Sequence, residues 1–145
     1  MIGLIQRVTS AVIYLENQKK DEIEKGLLVF VGIETNDSEK KAEKLVKKIF
    51  NYRVFPDEND QMNLNLKEIS GGLMLIPQFT LLADNQKGNR PSFSNIAPVD
   101  KSTYLFEYLS SLAKKEYSLV KSGYFGKNMN IKLTNNGPAT FWLQV

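Results

Sequence analysis

The stretch Gly26-Leu27-Leu28-Val29-Phe30-Val31-Gly32-Ile33 indicates the fold class of this chain. Apart from the glycines, its residues are large and apolar and several are β-branched, a composition typical of a strand buried on both faces. A second apolar run follows Gly71-Gly72 and extends from residue 73 to residue 82. We therefore predict a β-sheet with these two strands at its centre.

Segments with alternating side chains predict the outer strands. At the start of the chain, residues 2–9 and 11–16 predict two strands that open the sheet as a hairpin. Near the end, residues 128–134 alternate apolar and polar side chains, and residues 139–145 follow after a turn. The simplest interpretation of these last two segments is a terminal hairpin.

Two amphipathic helices are expected between these strands. The first follows Asn36, Asp37 and Ser38, whose side chains can cap a helix. Its apolar stripe consists of Ala42, Leu45, Val46, Ile49 and Phe50. The second is capped by Asp100 and runs to about Glu116. Its stripe, which we expect in the core, consists of Tyr104, Leu105, Tyr108, Leu109 and Leu112.

The predicted order β-β-β-α-β-α-β-β mixes crossovers with hairpins. It favours the mixed α/β class, with a layered mixed β-sheet or partial barrel and two covering helices. With 145 residues, 42% of them hydrophobic and 24% charged, we expect a single domain, residues 1–145. No apolar run approaches the ~20 residues that span a bilayer, so we expect a cytoplasmic protein with no membrane partner.

The chain contains no cysteine and no histidine. The first absence excludes disulfides, thiolate catalysis and cysteine-ligated metals, and the second excludes a Ser-His-Asp triad and histidine-ligated metals. Any enzyme here must catalyse by other means, and we predict no metal and no other cofactor. The net charge of +3 is compatible with a polyanionic partner, although an ordinary solvated surface is the simpler explanation.

The segment Pro77-Gln78-Phe79-Thr80-Leu81 conflicts with a plain core strand, because it places a proline and two polar side chains in an apolar run. Proline cannot donate to a ladder, so Pro77 favours a bulge or interruption, a feature that often accompanies a site. The alternative is an edge strand with Gln78 and Thr80 facing solvent. Composition alone favours this alternative.

Two further segments have loop composition. Asn135-Asn136-Gly137-Pro138 permits a flexible backbone at its glycine and a cis bond before its proline, although a hairpin turn explains the motif equally. Lys87-Gly88-Asn89-Arg90-Pro91-Ser92-Phe93 combines two cations with an aromatic residue, a weak signature of nucleic-acid binding. A solvated loop is the simpler interpretation of this second segment.

Together these motifs resemble the D-aminoacyl-tRNA deacylases. The resemblance rests on Gln78-Phe79-Thr80-Leu81, Arg90-Pro91-Ser92-Phe93, Phe125-Gly126 with Met129, and Gly137-Pro138, in this order and spacing. Gln6-Arg7-Val8 and Met62-Asn63-Leu64 also match, so that the resemblance covers nearly the whole chain.

The resemblance implies hydrolysis of the ester between a D-amino acid and the terminal adenosine of tRNA, largely by main-chain groups. By position it implies that Gln78, Phe79 and Thr80 are catalytic. Thr80 acts either as a nucleophile or by positioning water or substrate, and we prefer the second role because no base is evident.

Substrate binding is implied at Pro77, Phe125 and Met129, although core packing explains the last two equally well. The Gly137-Pro138 pair resembles the family's Gly-cisPro element, which reaches from one subunit of a homodimer into its partner's pocket and excludes L-amino acids. The implied active sites therefore lie at the subunit interface, with aminoacyl-tRNA as the partner. Glycine has no side chain to exclude, so limited activity on glycyl-tRNA is also implied.

Three positions depart from the family's pattern. Pro77 stands where serine is usual, Asn136 replaces a common aspartate, and Ala139 replaces the usual valine. The loss of the serine hydroxyl keeps open a non-catalytic RNA-binding protein on the same scaffold. A general esterase is a third possibility.

Overall fold

The computed structural model describes residues 1–84, 86 and 88–145. Its strands are β1 (Ile2–Leu15), β2 (Gln18–Ile23), β3 (Gly26–Gly32), β4 (Phe55–Pro56), β5 (Met62–Leu64), β6 (Gly72–Pro77), β7 (Val120–Ser122) and β8 (Asn130–Gln144). Its helices are α1 (Glu39–Asn51) and α2 (Val99–Glu116). The main sheet has the order β2-β1-β3-β6-β7, with β8 paired to β1, while β4 and β5 form a separate hairpin.

Strands β3 and β6 form the centre of the sheet, as predicted. They run parallel to each other, β3 lies between β1 and β6, and β6 lies between β3 and β7. Val29 is fully buried in the main core, which includes side chains of both helices. Leu28 points the other way, into a second apolar cluster with Met74 and Ile76. Burial on both faces explains why the sequence of β3 is continuously apolar.

Strand β1 is one continuous strand, so the predicted hairpin between residues 2–9 and 11–16 is wrong. On one side, its first half pairs with β3 and its second half with β2. On the other side, β8 pairs along nearly its whole length. These partners keep Ser10 extended opposite Thr134. The hairpin that does form joins β1 to β2, an edge strand whose polar sequence gave no apolar signal.

Strand β6 ends at Pro77, and Phe79–Leu82 form a short 3₁₀ turn, so the predicted strand of residues 73–82 is too long. The interruption expected at Pro77 is confirmed. The alternative of an edge strand is wrong, because β6 has strands on both sides. Strand β7 ends at Ser122, opposite Leu75. Strand β7 therefore has no residue beside Pro77 that would need the backbone N–H that proline lacks.

Strand β8 is also continuous, so the predicted terminal hairpin of residues 128–134 and 139–145 is wrong. Both halves pair antiparallel with β1. The register jumps from Thr140 opposite Gln6 to Asn135 opposite Val8, which leaves residues 136–139 as a bulge. Because the long partner strand pairs with both segments in the same direction, the turn motif bulges out of the ladder instead of reversing the chain.

Helix α1 is confirmed, and all five residues of its predicted apolar stripe are buried. It begins after Ser38, whose side chain makes no capping hydrogen bond. Asp37 does not cap it either, because its carboxylate accepts hydrogen bonds from the Glu34 N–H at 2.7 Å and from Lys41 Nζ at 2.9 Å.

Helix α2 is confirmed with two corrections. It begins two residues earlier than predicted, after Pro98, so Asp100 lies in the first turn and is not the cap. Tyr104 is 54% exposed, so its prediction in the core is wrong, whereas Tyr108 is half-buried and packs against the main core. The phenol groups of both tyrosines instead donate to carboxylates of α1. The residues of α2 that are buried are Ser102, Leu105, Phe106, Leu109, Ser110 and Ala113.

The mixed α/β class with two helices packed on the sheet is confirmed. Asp21 of β2 and Lys121 of β7 form an ion pair at 2.9 Å between the two ends of the strand order, so the sheet curls toward a closed barrel. In the part of the chain that the structure describes, neither helix is long and apolar enough to cross a bilayer.

Candidate active site

A cleft of about 630 Å³ opens where β6 ends. One wall is the end of β6 with the turn after it, another is the start of α2, and a third is the segment that leads into β8. Apolar side chains dominate its lining, which includes Ile76, Pro77, Phe79, Ala97, Val99, Phe125, Met129 and Ile131. A cleft of this size and character suits a small organic group.

The turn after β6 presents backbone donors at the rim of the cleft. The Gln78 N–H donates to the Val31 carbonyl at 2.8 Å, and the Leu81 N–H donates to the Gln78 carbonyl at 3.4 Å. Between them, the N–H groups of Phe79 and Thr80 donate to no acceptor among the described residues. Two consecutive free donors beside an apolar cleft are suited to stabilising a developing oxyanion.

The hydroxyl of Thr80 is held by its neighbour. Gln78 Nε2 donates to Thr80 Oγ1, and Thr80 itself is exposed beside the cleft without lining it. Because the hydrogen bond occupies a lone pair of the hydroxyl oxygen, the hydroxyl proton is free to be donated. A carboxamide cannot take up that proton, so this pair does not activate Thr80 as a nucleophile.

The aromatic and thioether side chains of the cleft also contact the core. Phe125 is half-buried, with its ring centroid 6.4 Å from that of the core residue Phe106. Met129 Sδ accepts a hydrogen bond from the Tyr124 N–H at 3.3 Å, and the side chain packs on the second apolar cluster. Substrate binding and core packing, which the sequence could not separate, are therefore both available to Phe125 and Met129.

The bulge of residues 136–139 carries a cis peptide bond between Gly137 and Pro138, as the resemblance implies. Beneath it the buried Arg7 donates to the carbonyls of Asn136 at 3.1 Å and Gly137 at 3.4 Å, and to the Val54 carbonyl at 2.6 Å. Gly137 and Pro138 are exposed, and neither is among the residues that line the cleft of the same chain. Arg7 thus holds the bulge from the protein interior, while Gly137 and Pro138 are exposed at the surface.

Two tyrosines of α2, outside the lining of the cleft, have raised pKa values. A hydrogen bond to Glu43 raises the pKa of Tyr108 to about 12, and one to Glu39 raises the pKa of Tyr104. These contacts join α1 to α2, the helix whose start forms one wall of the cleft. Among the described residues, no group of three or more acidic side chains is placed to hold a metal ion.

Residues 4–144 match the family model described as D-Tyr-tRNA(Tyr) deacylase. The chain belongs to this family. It is 50% identical to a D-aminoacyl-tRNA deacylase of Dichelobacter nodosus over 145 residues, 100% of both chains. Among solved structures, it resembles one described as c-Myc DNA Unwinding Element Binding Protein, with a TM-score of 0.95, 31% identity and coverage of 100% and 99%.

A more distant solved structure supports the fold of this deacylase family. It is described as a "probable eukaryotic D-amino acid tRNA deacylase", and it superposes with a TM-score of 0.85 over 98% of both chains. At 14% identity, this likeness concerns the fold alone. It agrees with the mixed sheet and two helices described above.

For this member of the deacylase family, the structure brings most of the predicted site residues together. Those that line the cleft are Pro77, Gln78, Phe79, Phe125 and Met129, with Thr80 beside it. Gly137 and Pro138 lie apart, on the β8 bulge. Lys87 of the predicted cationic loop, like Asn85, lies outside the described residues.

Two residues of the site were not predicted from the sequence. Arg7 was noted only as part of a matching motif, although an arginine within the apolar alternation of β1 is itself a signal, because a buried guanidinium needs partners. Ser102 lines the cleft while only 5% exposed, and its Oγ donates to the Ala97 carbonyl at 3.1 Å. No local pattern distinguishes Ser102 from an ordinary helix residue.

Proposed function

We propose that this protein hydrolyses the ester bond of D-aminoacyl-tRNA, releasing the D-amino acid and tRNA, as the names of its relatives describe for them. The observation that carries the proposal is the pair of N–H groups of Phe79 and Thr80, which have no acceptor among the described residues and lie beside an apolar cleft. An aminoacyl ester is already activated, so a positioned water and such donors suffice. Each donor contributes roughly 10²- to 10³-fold to the rate.

The terminal adenosine of the tRNA occupies the cleft in this proposal. Phe125 and Met129 provide aromatic and thioether surfaces against which a base packs. The ester then lies toward Pro77 and Gln78, where the strand ends and the free donors begin. The carbonyl oxygen of the ester faces these donors as negative charge develops on it during attack by water.

Thr80 positions the attacking water or the substrate in this scheme, and it forms no covalent bond. Its oxygen already accepts a hydrogen bond from Gln78. Its proton is therefore directed to an acceptor such as water or a ribose hydroxyl. Gln78 is a positioning residue that acts through Thr80.

Discrimination against L-amino acids is assigned to Gly137 and Pro138 of a second copy of the chain. In one chain the pair is exposed and lies outside the cleft, so a homodimer is needed to bring it to a substrate. Rigid backbone placed where an L side chain would project excludes that side chain whatever its identity. Glycine escapes this exclusion, so slow hydrolysis of glycyl-tRNA is part of the proposal.

The remaining parts of the proposal concern organisation and location. Residues 1–145 act as one domain, the dimer places its active sites at the subunit interface, and the protein works in the cytoplasm, where charged tRNA is used. Pro77 replaces a serine hydroxyl but keeps the strand end in place, because the next residue still bonds to Val31. The substitution therefore changes the rate more than the type of reaction.

The test compares D-tyrosyl-tRNA with L-tyrosyl-tRNA as substrates of the purified protein. We expect release of D-tyrosine well above the buffer rate and no enzyme-dependent release of L-tyrosine. Equal rates on both substrates would refute the stereochemical part of the proposal. Light scattering at micromolar concentration should show a dimer, and a monomer that is fully active and selective would refute the cross-subunit role of Gly137 and Pro138.

The replacement of serine by Pro77 favours one competing function, a non-catalytic RNA-binding protein. That function predicts binding of tRNA without release of D-tyrosine. A general esterase instead predicts hydrolysis of small esters that contain no nucleoside. Running both controls beside the tRNA assay separates the three functions.

A further inference from the structure

A second depression adjoins the cleft. Its volume is about 460 Å³, and it lies between the β1–β2 turn and the segment before β8. It shares residues 126–128 with the lining of the cleft, so the two spaces meet at this segment. The depression is lined by Leu15, Glu16, Lys20, Gly126, Lys127 and Asn128. An extended ligand that leaves the cleft across residues 126–128 would enter this depression.

Lys20 owes its position to an irregularity in β2. Asp21 is opposite Ile13, but the next pair is Lys19 opposite Tyr14, so Lys20 has no partner in β1. It is the extra residue of a β-bulge, a feature that changes the direction of a side chain and is frequent next to binding sites. Here the bulge places Lys20 in the wall of the depression.

The two lysines of the depression differ from neighbouring lysines in their partners. Lys19 is paired with Glu22, and Lys121 is paired with Asp21. Among the described residues, neither Lys20 nor Lys127 forms a salt bridge, and the ammonium of Lys20 donates to the neutral Gln18 amide oxygen at 2.9 Å.

The depression also contains one carboxylate, that of Glu16. Among the described residues, its lining therefore carries two cations and one anion. The balance is positive, and it favours an anionic ligand that meets both lysines.

Resting on the proposed function, we propose that this depression binds the phosphates of the single-stranded 3′ segment that precedes the terminal adenosine of tRNA. A nucleoside in the cleft is joined to the next nucleotide by a phosphodiester, which emerges where the two spaces meet. Gly126 has no side chain, and apart from the adjacent residues a Cβ built there would meet no described atom within 4 Å, so the backbone leaves room for the strand. Lys127 and then Lys20 neutralise successive phosphates.

The physical signature of such contacts is their dependence on salt. Each phosphate neutralised by a lysine releases counterions, and for a single strand each contact contributes about 0.7 to the slope of log affinity against log salt. Loss of both lysines should lower the slope by about 1.4. Contacts of this kind act on the whole tRNA and not on a substrate that ends at the adenosine.

The experiment uses the full-length variants Lys20→Gln, Lys127→Gln and the double variant. Lys19→Gln is the matched control, because it removes the same charge from the same strand but from a residue outside the depression. Each is assayed for kcat/KM on D-tyrosyl-tRNA and on D-tyrosyl-adenosine, which lacks the preceding phosphates. Fluorescence anisotropy with uncharged tRNA measures the salt slope independently of catalysis.

We expect each single variant to lower kcat/KM on D-tyrosyl-tRNA about three- to fivefold, the range of a solvated charge contact, and the double variant to lower it about tenfold. The ratio of kcat/KM on tRNA to that on D-tyrosyl-adenosine should fall with it, and the binding slope should decrease. Lys19→Gln should match the wild type on both substrates. This result would support the phosphate site.

The results that would overturn the phosphate site differ from those that would refute the proposed function. Equal losses on both substrates, an unchanged salt slope in the double variant, or the same loss in Lys19→Gln would overturn the phosphate site while leaving the proposed function standing. A wild-type protein that releases D-tyrosine from neither substrate would refute the proposed function instead. In that case the anisotropy slope still decides whether Lys20 and Lys127 contact RNA.

Discussion

The two parts of the proposed active site are held in place in different ways. The turn at Gln78–Thr80 is positioned by backbone bonds at the end of a buried strand, and its side chains are largely exposed. The bulge with Gly137 and Pro138 lies on an outer strand, and the guanidinium of Arg7 anchors it from beneath. The first element depends on the sheet, whereas the second depends on one side chain.

This difference predicts how each part tolerates mutation. A turn that works through backbone N–H groups should lose little when its side chains change, because the donors remain. A bulge anchored by one buried arginine should fail when that residue is replaced, because three carbonyl oxygens lose their partner at once. The following predictions test this contrast, from the largest expected effect to the smallest.

Replacing Arg7 with alanine should have the largest effect. The Val54 carbonyl is left buried without its donor, and unsatisfied groups of this kind cost about 1–3 kcal/mol each, so we expect a loss of about 3 kcal/mol in the free energy of unfolding. A displaced bulge should also weaken the exclusion of L-amino acids, so the ratio of kcat/KM on D-tyrosyl-tRNA to that on L-tyrosyl-tRNA should fall about 10²-fold. Urea denaturation and deacylation assays measure the two effects.

Arg7→Lys serves as the control for charge. It keeps a cation but not the planar fork that reaches three carbonyls, so its stability and activity should lie between those of the wild type and Arg7→Ala. If Arg7→Ala folds and works like the wild type, the proposed anchoring role is wrong. Far-UV circular dichroism before the assay distinguishes loss of function from loss of fold.

Replacing Gly137 with alanine should separate activity from stability. Apart from the adjacent residues, a Cβ at this position would meet, among the described residues of its own chain, Asn135 Nδ2 at 3.4 Å. We therefore expect the free energy of unfolding of this variant to lie within about 0.5 kcal/mol of the wild-type value. If the bulge enters a partner's pocket, the extra methyl should cost about tenfold in kcat/KM. An unchanged rate and D/L ratio would argue against that placement.

Replacing Thr80 with valine should reduce kcat less than about tenfold, because the free backbone donors remain and only one hydrogen bond is lost. Removal of a true nucleophile costs far more, on the order of 10⁶-fold in a serine hydrolase. Single-turnover rates on D-tyrosyl-tRNA measure the difference. Thr80→Ser, which keeps the hydroxyl, should stay near the wild type, and a collapse of activity in Thr80→Val alone would restore the nucleophile role.

Replacing Tyr108 with phenylalanine should have the smallest effect, seen only in stability. Because the hydrogen bond to Glu43 raises the pKa of Tyr108 to about 12, the folded state keeps the phenol proton that the unfolded state loses near pH 10. The stabilisation is therefore complete below pH 10 and disappears between pH 10 and 12. Thermal denaturation of both proteins should show a constant difference from pH 6 to 9 that shrinks above pH 10.

Local patterns predicted the elements whose burial is uniform. Strand β3 is apolar throughout because both faces are covered, and α1 shows a clean stripe because only one face is covered. The conflict between Pro77 and its apolar surroundings correctly indicated an interruption, which in the structure is the end of β6 beside the cleft. In each case the signal lies within a few adjacent residues.

The errors concern features set by distant partners. The sequence predicted two short strands in place of each of β1 and β8. Both are continuous in the structure, because a strand's length depends on the strand beside it and not on its own turn residues. Tyr104 was expected in the core because an aromatic residue at helical spacing looks buried, yet its hydroxyl reaches a glutamate of α1 at the surface. The residues of the cleft are likewise contributed by separate parts of the chain.

By itself the sequence determined the α/β class, the central strands, both helices and, through its motifs, the resemblance to a deacylase family. The absence of histidine and cysteine from the sequence also excluded catalysis by either side chain. Only the tertiary structure decided which residues meet. It placed Phe125 and Met129 opposite the Pro77 turn, set Arg7 beneath Gly137, and left Gly137 and Pro138 outside the cleft of their own chain. The physical reason is that periodicity and turn chemistry act between near neighbours, whereas a site assembled across β1, β6, α2 and β8 depends on packing between elements far apart in the chain.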